Sequence, residues 1–297
     1  MEILDGKKLS LTIQEEIKTE VTHIKSLNLR APKLSAVLVG NNPASEAYMR
    51  NKVRSCDRVG FDSDLIRKPD TVTQQELLQT VDALNNDDGV DGFIVQLPLP
   101  EHIDDNEILL AINPEKDVDG FHPYNFGCMA QGLPCYIPAT PFGIMLMLER
   151  YKIETSGKNV VVIGRSNIVG TPMSILLSRK QKVGNATVTL AHSRTKNLKE
   201  ICLNSDILIS ALGKPFFVTH DMVKEGAVII DVGINRIDDL TRKSGTRLVG
   251  DVDFEKVAPK ASYITPVPGG VGPMTVSSLM MNTLKAYKRT HSYEYNS

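Results

Sequence analysis

The stretch from Val160 to Pro172 limits the possible folds of this chain more than any other. It joins a run of β-branched residues, Val160-Val-Val-Ile163, to Gly164 and then to Gly170 and Pro172. Four successive β-branched residues are typical of a parallel strand that is covered on both faces. Gly164 permits a tight turn beside a ligand, and Gly170 suits the start of a helix, whose free N–H groups favour a phosphate. The pattern predicts a nucleotide site, although its Gly-x5-Gly spacing differs from the usual Gly-x-Gly-x-x-Gly.

Composition narrows the class of protein. The chain has 297 residues, of which 41% are hydrophobic, and this is enough apolar material for two domain cores. A formal net charge of -1 gives no basic excess, so we expect no nucleic-acid partner. The cysteines form no C-x-x-C pair and the histidines are scattered, so neither a metal site nor a disulfide framework is predicted. Without an apolar signal core or a membrane-length apolar run, we expect no membrane association and a cytoplasmic or organelle-matrix location.

The first half of the sequence alternates predicted helices and strands. An apolar stripe from Leu9 to Ile24 predicts an amphipathic helix, and Thr73 with Glu76 forms a capping box that opens another. Strands are predicted at 34–40, 61–67 and 90–96. Strands separated by helices imply right-handed crossovers and a mainly parallel sheet, which binds ligands beyond the carboxyl ends of its strands.

Polar side chains are expected to converge at that edge of the sheet. Tyr48 and Lys52 lie four residues apart on the helix after the first strand, which gives them one face. Gln96 ends the third strand, and Asp117 and Asp119 follow the next helix. Taken singly, Lys52 fits a solvated lysine, Gln96 a strand-end amide, and the aspartates a β-turn. Together they predict a cleft that binds a ligand.

The second half has a Rossmann-like pattern. Its strands are predicted at 160–163, 186–190, 206–210 and 227–231. After the second of them, where an NAD site usually has Asp or Glu for the ribose 2′-hydroxyl, this chain has His192, Ser193, Arg194 and Thr195. Hydroxyl and guanidinium groups bind a 2′-phosphate, so the pattern favours NADP over NAD. Arg165 either provides a second guanidinium group for the 2′-phosphate or is a solvated residue of the loop.

Small residues follow the third and fourth of these strands. Ala211, Gly213 and Gly233 would let the backbone approach a nicotinamide closely. Residues 264–275 then carry three prolines and three glycines, before an apolar helical stripe at 276–287. This segment is either an ordinary linker or, if the last helix packs back on the first domain, a loop that crosses between domains.

The predicted domain boundary lies near Thr140, which would cap a helix beginning at Pro141. We therefore expect a first domain from residues 1–139 plus 274–297 and a dinucleotide domain from residues 140–273. Residues 238–245 have no apolar periodicity and predict a surface hairpin or loop, and residues 291–297 predict a frayed end.

Five stretches, in order along nearly the whole chain, resemble signatures of the bifunctional methylenetetrahydrofolate dehydrogenase/cyclohydrolase family. They are Glu46-Ala-Tyr48-Met-Arg-Asn-Lys52, Val95-Gln96-Leu-Pro-Leu-Pro100, Pro114-Glu-Lys-Asp-Val-Asp119-Gly120, Gly164-Arg-Ser-Asn-Ile-Val-Gly170 and Pro266-Val-Pro-Gly-Gly-Val-Gly-Pro-Met-Thr275. The resemblance implies oxidation of 5,10-methylenetetrahydrofolate with NADP and hydrolysis of the methenyl product to 10-formyltetrahydrofolate, in one-carbon metabolism that serves purine biosynthesis. It also implies an α/β fold with a folate-binding catalytic domain, a Rossmann-like NADP-binding domain and a homodimer formed through the latter.

The resemblance assigns roles in the catalytic domain. It implies that Lys52 is the catalytic lysine and Gln96 its partner, that Tyr48 stacks on the folate, and that Asp119 holds the pterin. Further substrate contacts are expected at Val95, Leu97, Pro268, Gly269 and Gly270. A lysine amine suits the hydrolytic step because it can transfer protons to and from water.

The resemblance likewise assigns a cofactor site. It implies that Arg165, Ser166 and Ser193 bind the 2′-phosphate of NADP. Further cofactor contacts are expected at Gly164, Ile168, Val169, His192, Arg194, Ala211, Gly213, Gly233, Ile234 and Thr275. The whole interpretation requires that Lys52 and the dinucleotide reach the same folate.

Two other functions are compatible with a two-domain α/β layout. Another NADP-dependent dehydrogenase, acting on a small acid, would have an Arg or Lys clamp for the carboxylate instead of Tyr48 and the loop at 264–275. A non-enzymatic nucleotide-sensing module would have no need of the Lys52 and Gln96 pair. Loss of Lys52 would leave such a module functional.

Overall fold

The computed structural model describes residues 1–242 and 245–291, in which strands and helices alternate along most of the chain. The strands are Glu2–Ile3 (β1), Lys33–Val39 (β2), Asp62–Lys68 (β3), Gly92–Val95 (β4), Asn159–Ile163 (β5), Thr187–Ala191 (β6), Ile207–Ser210 (β7), Val228–Asp231 (β8), Asn235–Asp238 (β9), Thr246–Val249 (β10) and Tyr263–Ile264 (β11). The helices are Gly6–Ser26 (α1), Pro43–Val59 (α2), Gln74–Asn85 (α3), Asp105–Ala111 (α4), Pro123–Gln131 (α5), Ala139–Arg150 (α6), Gly170–Ser178 (α7), Leu198–Leu203 (α8), Phe254–Val257 (α9) and Val271–Thr290 (α10).

Two structural units result, each built around a parallel sheet. The three-stranded unit comprises Leu11–Ala139 and the described part of Val276–Ser297, and the six-stranded unit comprises Met1–Ser10 and Thr140–Thr275. The predicted two-domain α/β fold with mainly parallel sheets is thereby confirmed. Residues 292–297, which were expected to fray, lie outside the described residues.

The three-stranded unit has the order β3-β2-β4, with every neighbouring pair parallel. Its central strand is buried except at its first residue, because helices cover the sheet and no polar alternation is needed. The predicted capping box is present on α3: Thr73 N donates to Glu76 Oε2 at 2.8 Å, and Glu76 N donates to Thr73 Oγ1 at 3.2 Å. The three strands predicted for this half are confirmed.

The last helix, α10, packs on this unit as predicted. Asn282 on α10 donates from Nδ2 to the backbone oxygens of Val118 and Ile137, at 2.8 and 3.0 Å. Nearer the start of α10, Ser277 Oγ accepts a hydrogen bond from Gln14 Nε2 of α1 at 3.3 Å. Two buried side-chain amides therefore hold the helix against the unit, in addition to its apolar stripe.

The six-stranded unit has the order β1-β11-β8-β7-β5-β6, again with every neighbouring pair parallel. The four strands predicted for this half form its centre and one edge, and β11 and β1 extend the other edge. Because Glu2 pairs with Tyr263, the first ten residues group with this unit, whereas the sequence placed them with residues 11–139. A pairing of two-residue strands so far apart in sequence leaves no local pattern to predict it from.

Two local predictions concern the start of helix α6 and residues 238–245. Helix α6 begins at Ala139, so Thr140 lies inside the helix and does not cap it as predicted; its Oγ1 instead lies 3.1 Å from Thr275 Oγ1. The segment 238–245, expected to be a surface hairpin or loop, connects the antiparallel strands β9 and β10, although Lys243 and Ser244 lie outside the described residues. Helix α5 was not predicted.

In the described part of the chain, none of the helices is both long enough and apolar enough for a membrane span.

Candidate active site and dinucleotide site

A lysine and a glutamine are hydrogen-bonded at the carboxyl edge of the three-stranded sheet. Lys52 lies on α2, which follows β2, and Gln96 comes directly after β4, the neighbour of β2. Lys52 Nζ donates to Gln96 Oε1 at 3.1 Å, and Gln96 Nε2 donates to Leu97 O at 2.7 Å. The second bond orients the amide so that its oxygen faces the ammonium group. The amine is thus held in place by a partner without charge.

Asp119 belongs to the same cluster, whereas Asp117 has a structural role. Burial raises the pKa of the Asp119 carboxyl, and the positive charge of Lys52 opposes that rise, so the two groups interact electrostatically. Asp117 accepts hydrogen bonds from His122 N at 2.8 Å and Asn125 Nδ2 at 2.9 Å, and Gly120 N donates to its backbone oxygen at 3.1 Å. Burial raises the pKa of Asp117 to about 6 despite these donors. The β-turn interpretation therefore holds for Asp117.

The remaining predicted substrate residues of this unit differ in exposure. Tyr48, one helical turn before Lys52, is 41% exposed, so its ring is free to contact a ligand. Leu97 is half-buried, but the Val95 side chain is buried in the core of the sheet and can offer a ligand only its backbone. One turn after Lys52, Cys56 lies in the core 3.7 Å from Met280 Sδ, where burial raises the pKa of its thiol to about 12. This cysteine is not part of the site.

Gly164 lies in a turn that only glycine fits. Its φ is +116°, and a Cβ built on it would lie 2.3 Å from Ala211 O. A Cβ on Gly170 would lie 1.9 Å from Gly164 O. Side chains are excluded at both positions because the backbone of the chain itself packs there, so the tight turn can form only with glycine.

The start of α7 departs from the expectation of free N–H groups. Ser166 Oγ accepts from Val169 N at 3.2 Å and from Gly170 N at 3.5 Å, and Thr171 N donates to Ser166 O at 3.1 Å. The hydroxyl and the backbone oxygen of Ser166 accept these bonds because the first N–H groups of a helix have no partner within it. Arg165, Ser166, Asn167 and Ile168 are exposed here, whereas Val169 is buried.

The segment after β6 forms a tight turn beside Gly164. Gly164 N donates to Ala191 O at 2.9 Å, which brings the ends of β5 and β6 to the same edge of the sheet. His192 N donates to Thr195 Oγ1 at 2.8 Å, and Thr195 N donates to His192 O at 2.9 Å. Arg194 N donates to His192 Nδ1 at 3.2 Å. The turn leaves the side chains of Ser193 and Arg194 exposed.

The proline- and glycine-rich segment is tied into the six-stranded unit by its backbone. Gly269, with a φ of +111°, accepts from Lys7 N at 2.9 Å. A Cβ on Gly6 would lie 1.8 Å from Gly270 O, so the two chain segments touch without side chains between them. Pro268 beside them is exposed. This part of the segment is not a solvated linker.

Two buried carboxylates behind the ends of β7 and β8 were missed by the sequence interpretation. Asp231 ends β8 and Asp251 follows β10, and the two are linked by a hydrogen bond from Asp251 N to Asp231 Oδ1 at 2.9 Å. Burial and the neighbouring Asp251 raise the pKa of Asp231 to about 7, although three backbone N–H groups oppose the rise. The one feature of the sequence that could have indicated these buried carboxylates is an Asp at the end of an otherwise apolar strand.

Ala211 and Gly213 follow β7, and Gly233 and Ile234 follow β8, where the two carboxylates lie. Gly213 and Ile234 are exposed, Ala211 is half-buried and Gly233 is buried. Because β7 and β8 are parallel neighbours, these four predicted cofactor residues share one edge of the sheet. Within residues 1–242 and 245–291, no group of three or more His, Cys, Asp or Glu side chains is arranged to hold a metal ion.

Comparison with known proteins links both units to one family. A family model described as tetrahydrofolate dehydrogenase/cyclohydrolase, catalytic domain, matches residues 4–119, and one described as the NAD(P)-binding domain of the same enzyme matches residues 138–291. The bifunctional protein FolD of Cytophaga hutchinsonii is 61% identical over 286 residues, which cover 96% of this chain and 99% of that protein.

Solved structures agree over the same length. The bifunctional FolD methylenetetrahydrofolate dehydrogenase/cyclohydrolase of Campylobacter jejuni is 46% identical with a TM-score of 0.92, covering 98% of this chain and 99% of that one. The corresponding Trypanosoma brucei enzyme, complexed with NADP cofactor and an inhibitor, is 40% identical with a TM-score of 0.91, covering 96% and 97%.

Proposed function

This chain belongs to the tetrahydrofolate dehydrogenase/cyclohydrolase family, and from that premise we propose how its residues perform the two reactions. It oxidises 5,10-methylenetetrahydrofolate to 5,10-methenyltetrahydrofolate with NADP and hydrolyses this product to 10-formyltetrahydrofolate. The observation that carries the proposal is the hydrogen bond from Lys52 to Gln96, an amine oriented by an uncharged amide. Such a pair suits proton transfer to and from an attacking water.

In the hydrolytic step, water attacks the cationic methenyl carbon and loses a proton. Lys52 takes up that proton and returns it to N5 of the folate as the bond from N5 to the attacked carbon breaks, and the second proton of the water is released to solvent as the formyl carbonyl forms on N10. Gln96 keeps the amine directed at the folate. An uncharged partner suits this role because a carboxylate in its place would hold the amine as an ammonium ion. Asp119 binds the pterin by hydrogen bonds, and the exposed ring of Tyr48 stacks on it.

The dinucleotide is held by the six-stranded unit. When bound there, NADP would supply the hydride acceptor that the oxidation of the methylene group requires. Gly164 supports this role because the tight turn after β5 can form only without a side chain at this position. Arg165, Ser193 and Arg194 bind the 2′-phosphate, and the exposure of all three side chains supports this role. Hydroxyl and guanidinium groups at the end of β6, where NAD sites have a carboxylate, favour NADP.

The remaining cofactor contacts lie after the strands of the six-stranded unit, except Thr275, which lies in α10. They are proposed at Ser166, Ile168, Val169, His192, Ala211, Gly213, Gly233, Ile234 and Thr275. The further substrate contacts are proposed at Val95, Leu97, Pro268, Gly269 and Gly270. For Val169 and Val95, whose side chains are buried, the proposal concerns the backbone only.

An assay of the purified protein with methylenetetrahydrofolate tests this function. We expect NADPH to form, the formylated product to follow, and kcat/KM to be at least about tenfold higher with NADP than with NAD, as a desolvated charge-assisted contact would give. A higher kcat/KM with NAD would refute the 2′-phosphate site. Failure to form either folate product would refute the function itself.

Family membership also supports a homodimer located in the cytoplasm. Light scattering of the purified protein tests the first proposal, and a single-chain mass would overturn it. Fractionation of the source cells tests the second.

A further inference from the structure

Asp251 holds two loops of the six-stranded unit with one carboxylate, although it belongs to neither loop. Its side chain is completely buried. Asp251 Oδ2 accepts from Leu212 N at 2.7 Å, Gly213 N at 3.2 Å and Ser210 Oγ at 3.3 Å. The other oxygen, Oδ1, accepts from Lys214 N at 2.9 Å and Asn235 Nδ2 at 3.0 Å. Five donors on a single carboxylate leave little of its capacity unused.

These donors come from the segments that the proposed function assigns to the cofactor. Leu212, Gly213 and Lys214 follow β7, and Asn235 follows Gly233 and Ile234 at the end of β8. Asp251 also packs directly against the second loop, since a Cβ on Gly233 would lie 2.1 Å from Asp251 Oδ1. One buried group therefore holds the backbone of the loop after β7 directly and the segment after β8 through the Asn235 side chain.

Asp231 extends the network from the other side. Its Oδ1 accepts from Gly233 N at 3.0 Å and Asp251 N at 2.9 Å, and its Oδ2 accepts from Val252 N at 2.9 Å. A Cβ on Gly250 would lie 1.7 Å from Asp231 Oδ2, so the chain before Asp251 passes directly over this carboxylate. Asp231 thus sets the position of the backbone that carries Asp251.

We propose that Asp251 is a positioning residue for the dinucleotide, acting only through the loops after β7 and β8. This inference rests on the proposed function, which places the cofactor at those loops. Backbone that must lie against a ligand binds it well only when it is already fixed in the bound conformation. A carboxyl group that accepts through both oxygens suits this task because it can hold several N–H donors at once. An asparagine at this position would turn an NH2 group towards N–H donors.

The test compares Asp251→Asn with Asp91→Asn. Asp91 is a matched control: it is also buried and also binds several donors, namely Lys33 N and the guanidinium of Arg30, but it lies in the three-stranded unit. We expect Asp251→Asn to raise the Kd for NADP about tenfold or more. Methenyltetrahydrofolate hydrolysis, which uses no dinucleotide, should stay within about twofold of the unaltered protein. Asp91→Asn should leave the Kd for NADP within about twofold.

A milder pair keeps the test usable if Asp251→Asn does not fold. Ser210→Ala removes one donor to Asp251 at the carboxyl end of β7, and Ser205→Ala removes a buried hydroxyl that donates to Cys202 O just before the same strand. We expect Ser210→Ala to raise the Kd for NADP about threefold and Ser205→Ala to leave it unchanged.

Each outcome decides between the inference and the function on which it rests. If the unaltered protein binds NADP and Asp251→Asn or, failing that, Ser210→Ala binds it equally well, the positioning role is refuted while the function stands. A parallel loss of hydrolysis in Asp251→Asn would indicate general damage and would also refute the positioning role. If the unaltered protein does not bind NADP, the proposed function fails first.

Discussion

The two candidate sites are built in opposite ways. In the three-stranded unit the functional groups are side chains, and Lys52, Gln96 and Tyr48 are all at least partly exposed. In the six-stranded unit the turn at Gly164 and the loops held by Asp251 offer mainly backbone, fixed from behind by buried groups. Proton transfer needs side chains with titratable atoms, whereas binding a dinucleotide needs a rigid surface that side chains do not obstruct. Substitutions should therefore separate chemistry from cofactor binding.

Gln96→Leu tests the site in the three-stranded unit through the partner of Lys52. It removes the oxygen that accepts from Lys52 Nζ and leaves the amine without its partner. We expect methenyltetrahydrofolate hydrolysis to fall by roughly a hundredfold while the Kd for NADP stays within about twofold. Steady-state hydrolysis and equilibrium NADP titration measure the two quantities. Gln79→Leu, an exposed glutamine on α3, is the control, and hydrolysis by Gln96→Leu at the control's rate would contradict the pair's role.

Gly164→Ala should have the reverse effect. The added Cβ would lie 2.3 Å from Ala211 O, so the turn after β5 must move. We expect the Kd for NADP to rise by at least about tenfold, because the displaced backbone no longer fits the dinucleotide. Gly226→Ala is the control: its φ is also positive, at +77°, but nothing lies within 4 Å of the new Cβ. Unchanged NADP affinity in Gly164→Ala would mean that this turn does not bind the cofactor.

A further prediction concerns the pH dependence of stability through Asp231, where the change per pH unit is small. Burial raises the pKa of this carboxyl to about 7 from an ordinary value of 3.8, so between these pH values the folded protein keeps a proton that the unfolded chain releases. The stabilisation that protonated Asp231 provides is complete below the pKa of this group in the unfolded chain. It is lost as the pH rises through about 7. Asp231→Asn has no such titration. The quantity compared is the free energy of unfolding of the unaltered protein minus that of Asp231→Asn. We expect this difference to fall by about 1 kcal/mol per pH unit up to about pH 7 and then to level off.

Urea unfolding at several pH values from mildly acidic to mildly alkaline measures this difference. Asp117, whose pKa burial also raises, is present in both proteins, so its titration cancels. A difference that stays constant or grows with rising pH would show that Asp231 is ionised throughout.

Local patterns in the sequence predicted much of the fold. The apolar run at Val160–Ile163 and the capping box at Thr73 and Glu76 each depend on residues close together in the chain, and both are present in the structure. The convergence of Lys52 and Gln96 could also be predicted, since neighbouring parallel strands bring their carboxyl ends to one edge. Their hydrogen bond follows from that topology.

Long-range pairings could not be predicted in the same way. The strand formed by Glu2 and Ile3 owes its place to Tyr263 and Ile264, and two-residue strands carry no periodicity. Asp251 is surrounded in the sequence by unremarkable residues, and only the fold brings it under the loops after β7 and β8. The start of α6 was misjudged because Thr140 and Pro141 have the residue types of a helix cap, yet Thr140 bonds to Thr275 instead.

One measurement tests the division between chemistry and cofactor binding most directly: methenyltetrahydrofolate hydrolysis and NADP affinity, both determined on Lys52→Ala. Lys18→Ala, an exposed lysine of α1 paired only loosely with Glu15 at 3.8 Å, is the control. We expect hydrolysis by Lys52→Ala to fall by at least about a hundredfold, with the Kd for NADP within about twofold of the control. Hydrolysis at a rate near that of the control, or NADP affinity lost together with hydrolysis, would contradict this division.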